Sequence, residues 1–332
     1  MYKRWQIVLL VILLVVIVPG FVLQNLYIHN EPKESPPEET KGTILEPTES
    51  ITMNSKERYV RVLCSDGKII EQELEEYVCC VVLAEIPASF EDEAIKSQAI
   101  VARTYTLRRI EGNSKHDSAD ICTNSSCCQG YCSESDFLSV KGLASELSKV
   151  KKAVADTEGL VLLYEDELIE ATYFSCSGGV TEAAAAVWGE DIPYLQSTLS
   201  PGEDSAKTFL KTTFYSAEEL SECLNVELGD VPESWFGKPS YTTGLGVKEI
   251  RIGNRVFTGK EVRTLLNLRS TAFEITVFGN TVAVTTRGYG HRVGMSQYGA
   301  EAMAVSGCTY AEILTHYYKG IQIERMDDYI LD

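Results

Sequence analysis

The chain has 332 residues, with 30 Lys+Arg against 48 Asp+Glu and a formal net charge of −18 at pH 7. Hydrophobic residues make up 44% and charged residues 23%, a globular mixture that excludes collagen-like and wholly disordered classes. The acidic balance repels polyanions, so no nucleic-acid partner is expected, and the 10 cysteines are too dilute for a small disulfide scaffold.

Residues 1–6 read as a short cytoplasmic tail. An unbroken apolar run from Ile7 to Val18 resumes at Phe21-Val22-Leu23, which predicts a transmembrane anchor over residues 7–23. At ~1.5 Å per residue a helix from Trp5 to Leu23 reaches roughly 28 Å, about one hydrocarbon thickness. Lys3 and Arg4 precede the run, so the N-terminus is expected in the cytoplasm and the rest outside it. A cleaved signal peptide competes with this reading, although residues 22–26 offer no small residues for a cleavage site. Residues 24–57 form an acidic, Pro-rich linker: Glu31 to Ser50 holds six Glu and four Pro and has no hydrophobic period. From residue 58 to 332 the pattern is globular.

Tyr59 to Leu63 reads as a strand, with Lys68-Ile69-Ile70 as its partner across Asp66-Gly67. Leu74, Val78 and Val81 then recur at helical spacing, and Glu85 falls at the next step. Pro87 ends that helix and pushes Ile86 toward an extended conformation. Ser89 with Asp92 resembles a capping box for a second helix through Arg109, whose Ala94, Ala99 and Ala102 permit close packing. Leu168 to Ser177 reads as a strand into a Gly178-Gly179 turn. Ser216 with Glu219, Thr258 with Glu261 and Thr309 with Glu312 read as capping boxes of three further helices, the last ending at Gly320. Val247 to Gly259 and Phe273 to Gly288 each contain two strands around Gly-Asn, a hairpin signal. Strands and helices are mixed without a regular βαβ repeat, so the expected class is α+β, a single domain with a substrate cleft.

Three constellations carry chemistry. Glu85 closes an apolar stripe just before a helix break, where desolvation raises a carboxyl pKa toward that of a general acid. The alternative is a solvated or salt-bridged carboxylate. His116, Cys122, Cys127, Cys128 and Cys132 supply an imidazole and thiols in one short segment. That is soft tetrahedral chemistry suited to zinc, with disulfides or free thiols as the rival reading. Arg287 to Ala300 is glycine-rich and brings His291 near a ligand, with Ser296 able to cap the next helix. It matches neither the dinucleotide fingerprint nor the nucleophile elbow, which leaves a Ser296–His291 hydrolase poorly served. A tight packing loop is the competing reading.

Four segments in order resemble the stage II sporulation protein D (SpoIID) family of peptidoglycan lytic transglycosylases: Leu74 to Leu107, Tyr173 to Leu195, Thr258 to Phe273 and Gly288 to Ala304. The resemblance spans about residues 58 to 323, and the anchor and tether resemble those of sporulation members. It implies that Glu85 is the catalytic acid and that Arg103 lies in the substrate cleft. Ser175, Ser177, Tyr194, His291, Ser296, Gln297 and Tyr298 follow as cleft residues. Some clostridial members hold zinc through a His…Cys…His-Cys loop; His116, Cys122 and Cys128 match it, and Cys127 stands in place of a histidine. Zinc would be structural, with Cys132 a spare ligand. Cys79-Cys80 replace a more usual Lys-Gly, and Cys64, Cys223 and Cys308 read as scattered small apolar residues.

The implied reaction cleaves the β-1,4 bond between N-acetylmuramic acid (MurNAc) and N-acetylglucosamine (GlcNAc) of denuded strands, leaving 1,6-anhydro-MurNAc ends. The implied setting is engulfment during sporulation, beside a peptidoglycan amidase and a membrane scaffold, between mother cell and forespore. A hydrolysing muramidase and a non-catalytic wall-binding scaffold that recruits an amidase are the alternatives.

Overall fold

In the computed structural model, residues 58–140 and 142–326 are described. The expected tail, anchor and linker therefore lie outside the described residues. Among those described, no helix is long and apolar enough to cross a membrane.

Strand β1 (Tyr59–Leu63) pairs antiparallel with β2 (Ile69–Glu73), which runs longer than its apolar residues suggest. Gly67 turns the chain between them at φ 84°. The chain passes directly into helix α1 (Leu74–Glu85), where the Glu73 side chain accepts the N–H of Glu76 at 2.9 Å. Tyr77, Val78, Cys79, Cys80, Val81 and Val82 are all buried, so α1 is surrounded nearly on every side. Each such valine contributes about 1.5–3 kcal/mol by leaving water. Ile86 is extended before Pro87 and ends the helix as expected.

Helix α2 (Asp92–Arg108) starts from Glu91, which makes no side-chain cap, so Ser89 is not the capping residue. A π-helical turn (Arg109–Asn113) follows, and strand β3 (Ile121–Cys122) joins β1 in parallel. Helices α3 (Glu134–Val140) and α4 (Ala144–Asp156) pack on α1. Strand β4 (Leu160–Tyr164) lies between β5 (Glu167–Leu168) and the last strand of the chain. Where a longer strand was expected, only β6 (Tyr173–Phe174) forms, followed by α5 (Ala184–Trp188).

A second layer comprises β7 (Leu210–Ser216), α6 (Ala217–Leu224), β8 (Ser240–Tyr241), β9 (Val247–Ile252), β10 (Arg255–Thr258), α7 (Gly259–Leu265), β11 (Phe273–Phe278) and β12 (Thr281–Arg287). Both Gly-Asn hairpins form, β9–β10 and β11–β12, and the Ser216 and Thr258 capping boxes are complete. Its own core gathers Leu220, Trp235, Ile250, Phe257, Phe273 and Val284. The chain then returns through β13 (Met295–Ser296), parallel to β6, and helices α8 (Gln297–Val305) and α9 (Tyr310–Tyr317). It ends in β14 (Gln322–Arg325), which pairs with β4.

The two cores belong to one unit of mixed α+β class among the described residues. A buried ion pair staples them. Arg292 Nη1 meets Glu182 Oε1 at 3.3 Å, while Arg292 also donates to the carbonyls of Ser177, Val180 and Gly244. Thr242 Oγ1 and the Gly246 N–H donate to the same Glu182 Oε1. This clamp fixes the segment that carries His291 and Gln297 against β6.

Candidate active site

Glu85 is the last residue of α1 and opens into a cleft of about 1030 Å³. Three elements converge on its carboxylate. The Gly130 N–H donates to Oε1 at 2.5 Å, and the side chains of Gln297, at the start of α8, and Tyr173, on β6, also hydrogen-bond to it. Those donors favour the ionised form, but burial outweighs them and raises the pKa. Position adds to this, because the C-terminal end of a helix carries partial negative charge and no basic residue occupies the last turn of α1. Tyr173 is itself buried, its phenol pushed well above its ordinary value, so it stays a neutral donor. Its single hydroxyl proton is shared between Glu85 and Gln129 Oε1, 3.1 Å away, and Gln129 Nε2 donates to Thr106 Oγ1 at 3.0 Å. Gly130 lets the backbone come close to the acid: a Cβ there would lie 3.0 Å from Glu85 Oε1 and 3.3 Å from Ala84 Cβ, so the carboxylate would have to give by a few tenths of an ångström.

Two residues before Gly130 stands the thiol cluster. His116, Cys122, Cys127 and Cys128 place their ligand atoms within 4.8 Å of one another. His116 Nε2 lies 3.5 Å from Cys128 Sγ and 3.8 Å from Cys127 Sγ, and the two sulfurs are 3.8 Å apart. A tetrahedral zinc with bonds of ~2.3 Å to sulfur and ~2.0 Å to nitrogen needs S···S near ~3.8 Å and S···N near ~3.5 Å. The donor set and its spacing fit such an ion. Cys132 lies outside the cluster, its N–H bonded to the Cys80 carbonyl at 3.0 Å.

The remaining expected site residues divide. Ser175, Tyr194, His291 and Gln297 line the cleft with Glu85. Tyr194 accepts the Glu170 N–H at 2.9 Å and packs on Tyr164. His291 lies between Phe174 and Trp188, accepts the Val293 N–H at Nδ1 and hydrogen-bonds the Tyr173 backbone. Burial lowers its pKa to about 4. Between pH about 6.5 and about 4 the unfolded chain therefore takes up a proton that the native imidazole refuses. Stability should fall by up to about 3 kcal/mol as the pH drops through that window. Urea midpoints at pH 7 and pH 5 check this: His291→Gln should lose less stability on acidification than the wild type, and an equal loss contradicts it.

Four placements correct the sequence reading. Arg103 is fully buried and holds Glu75 through two bonds, at 2.7 and 2.6 Å, while also donating to the carbonyls of Leu160 and Val154. It locks α1 to α2, α4 and β4, and removing one member of such a pair costs about 3–5 kcal/mol. Ser177 and Ser296 are fully buried and turn away from the cleft to the carboxylate of Glu203. Glu203 also accepts from Ser200 and from the N–H groups of Ser177, Gly178 and Gly179. Tyr298 packs on Phe90 and is absent from the cleft lining. Ser296 meets no imidazole: it caps α8 by accepting the Gly299 N–H, which leaves the serine-hydrolase reading without a base.

Sequence reasoning missed Tyr173, Gln129, Gly130 and Glu203 as functional supports. Tyr173 sat within a segment already singled out; Glu203 follows Pro201-Gly202 in a loop with no periodic signal. The other cysteines offer no nucleophile to the cleft. Burial pushes the thiols of Cys79 and Cys176 up to about 12, whereas Cys223 is exposed rather than a core filler.

Fold and cleft together define a site with one largely buried carboxyl of raised pKa, supplied with neutral donors and braced by a thiol–imidazole cluster. Residues 65–164 match the family model described as "SpoIID: Stage II sporulation protein". The chain is 39% identical over 262 residues to Stage II sporulation protein D of Bacillus subtilis (strain 168), covering 77% of this chain and 76% of that protein. It is 38% identical over 262 residues to Stage II sporulation protein D of Bacillus amyloliquefaciens, at the same coverage of 77% and 76%. A 28% match over 296 residues links it to the "Amidase enhancer" of Bacillus subtilis (strain 168), over 72% of this chain and 39% of that protein. The chain belongs to the stage II sporulation protein D family.

Proposed function

We propose that the chain is a peptidoglycan lytic transglycosylase that cuts the MurNAc–GlcNAc β-1,4 bond of denuded strands during engulfment in sporulation. The observation that carries this reading is the Glu85 carboxyl: raised in pKa, held at a cleft and, among the described residues, with no second carboxylate acting on its ionisation. Glu170, in the same cleft, is consumed by ion pairs to Arg108 and Arg109, while Glu190 and Asp191 are exposed at the rim. Ordinary glycosidases need two working carboxyl groups because water must be activated or a covalent intermediate formed. A lyase needs one.

Protonated Glu85 gives its proton to the glycosidic oxygen as positive charge grows on the anomeric carbon. The resulting carboxylate is stabilised by the donors already around it, from Gly130, Gln297 and Tyr173. It then takes the proton of the muramyl 6-hydroxyl, whose oxygen bonds to the anomeric carbon and closes the 1,6-anhydro ring. The proton balance returns Glu85 to its starting form. His116, Cys122, Cys127 and Cys128 would hold zinc, which supplies a structural cross-link rather than an activated water. An N-terminal membrane span would hold the domain in the space between mother cell and forespore, with a membrane scaffold. An amidase partner fits the need to strip stem peptides first, and the relative named "Amidase enhancer" accords with that link.

Mass spectrometry of the products tests the reading. Stem-peptide-free glycan should yield 1,6-anhydro-MurNAc ends. Products heavier by one water would establish a muramidase instead, and glycan binding without turnover would favour the scaffold.

A further inference from the structure

The cleft wall beside the thiol cluster carries three cations, Arg108, Arg109 and Lys115. Arg108 and Arg109 are both held by one carboxylate, Glu170, which directs their guanidinium groups to it and leaves that trio one net positive charge. Lys115 appears in none of the ion pairs of the described residues. Its Nζ donates to the Cys127 carbonyl at 2.6 Å and to the Tyr105 hydroxyl at 3.2 Å, both neutral acceptors. An ammonium has three N–H donors, so its charge and one donor remain available on the cleft surface. The two neutral bonds fix the head group there and lower the entropy lost when it engages an anion.

Position relates this charge to Glu85. Cys127 and Gly130 are joined by a short stretch of chain, and Gly130 bonds Glu85. Even fully extended, that path puts the Lys115 ammonium no more than roughly 14 Å from the Glu85 carboxylate. A short saccharide bound across Glu85 reaches it.

We propose that Lys115 is a specificity-determining residue that reads the free lactyl carboxylate of an N-acetylmuramyl unit. The inference rests on the glycan-cleaving reading and deepens it. GlcNAc units carry no carboxylate, and a muramyl unit bearing a stem peptide has its lactyl carboxyl converted to a neutral amide. A fixed cation with no carboxylate partner among the described residues therefore distinguishes a free lactyl carboxylate from a lactyl amide by charge as well as by bulk, since a charge-assisted hydrogen bond is roughly twice as strong as a neutral one.

Equilibrium binding tests this without requiring turnover. Soluble alternating GlcNAc–MurNAc chains with free lactyl carboxylates are compared with the same chains converted to lactyl methylamides, at low salt. Wild-type protein should bind the free acid ~10-fold more tightly than the methylamide. Lys115→Met should bind both chains as the wild type binds the methylamide, with KM raised and kcat little changed, and Lys115→Arg should restore part of the preference. Equal binding of the two chains by the wild type, or an undiminished preference in Lys115→Met, overturns the proposal. The wild-type comparison needs no variant, so poor folding of Lys115→Met cannot shelter it. A carboxylate preference without anhydro products sinks the catalytic reading alone; anhydro products without the preference sink Lys115 alone.

Discussion

Glu85→Gln should lower kcat on stem-peptide-free glycan by about 10²–10⁴-fold, toward the upper end of that range, with little change in KM. One carboxyl performs both proton transfers in the proposed cycle, so its loss removes the acid and the base together. Glutamine keeps the shape and can still accept the Gly130 N–H, so the cleft should survive. Stability should hold or rise. A carboxyl whose native pKa is raised above its unfolded value destabilises the fold where it is ionised, and that penalty fades as the pH falls through the native pKa. The neutral amide escapes it at pH 7. In the wild type, turnover should decline as the pH rises through the elevated pKa, because the acid form is then depleted. Full activity in Glu85→Gln, or loss of activity accompanied by loss of thermal stability, would remove Glu85 from the mechanism.

What the sequence disclosed was local. The stripe of α1, its stop at Pro87 and the capping boxes at Ser216, Thr258 and Thr309 depend on residues within a few positions of one another, and all of them form. Ser89 with Asp92 has the same spacing, with Asp in place of Glu, and fails, because the acidic first turn of α2 is entered from Glu91 instead. Strand β4 was not visible, since the strands it joins are set by pairing: Leu160 faces Arg325, from the far end of the chain. Direction was the other hidden quantity. Ser175, Ser177 and Ser296 look alike in a motif, yet a single buried carboxylate, Glu203, turns the last two away from the cleft. Arg103 was misplaced for a similar reason. Nothing local to α2 announces that Glu75, on another helix, claims the guanidinium. Glu85 was legible because its position relative to its own helix already set its environment.

Metal removal should act on Glu85 from a distance, and this second effect follows from the loop between the cluster and the acid. Cys127 and Cys128 are ligand candidates, Gln129 holds the Tyr173 hydroxyl, and Gly130 donates to the Glu85 carboxylate. An ion at the cluster therefore fixes three successive parts of the acid's support. Of the four cluster residues only Cys128 packs against the main core of α1, α2 and α4, at its edge, so the domain should remain folded without metal. Reduced, anaerobically purified protein should contain one zinc per chain. Chelation, or Cys128→Ala, should lower turnover by about 10–100-fold, the range typical of groups that orient a site rather than react in it. The melting temperature should fall by several degrees. Re-added zinc should restore the wild type and leave Cys128→Ala impaired. Substoichiometric zinc in the reduced protein, or unchanged turnover after complete chelation, would separate the cluster from the acid. The thiols would then revert to the disulfide or free-thiol reading that competes with zinc in the sequence.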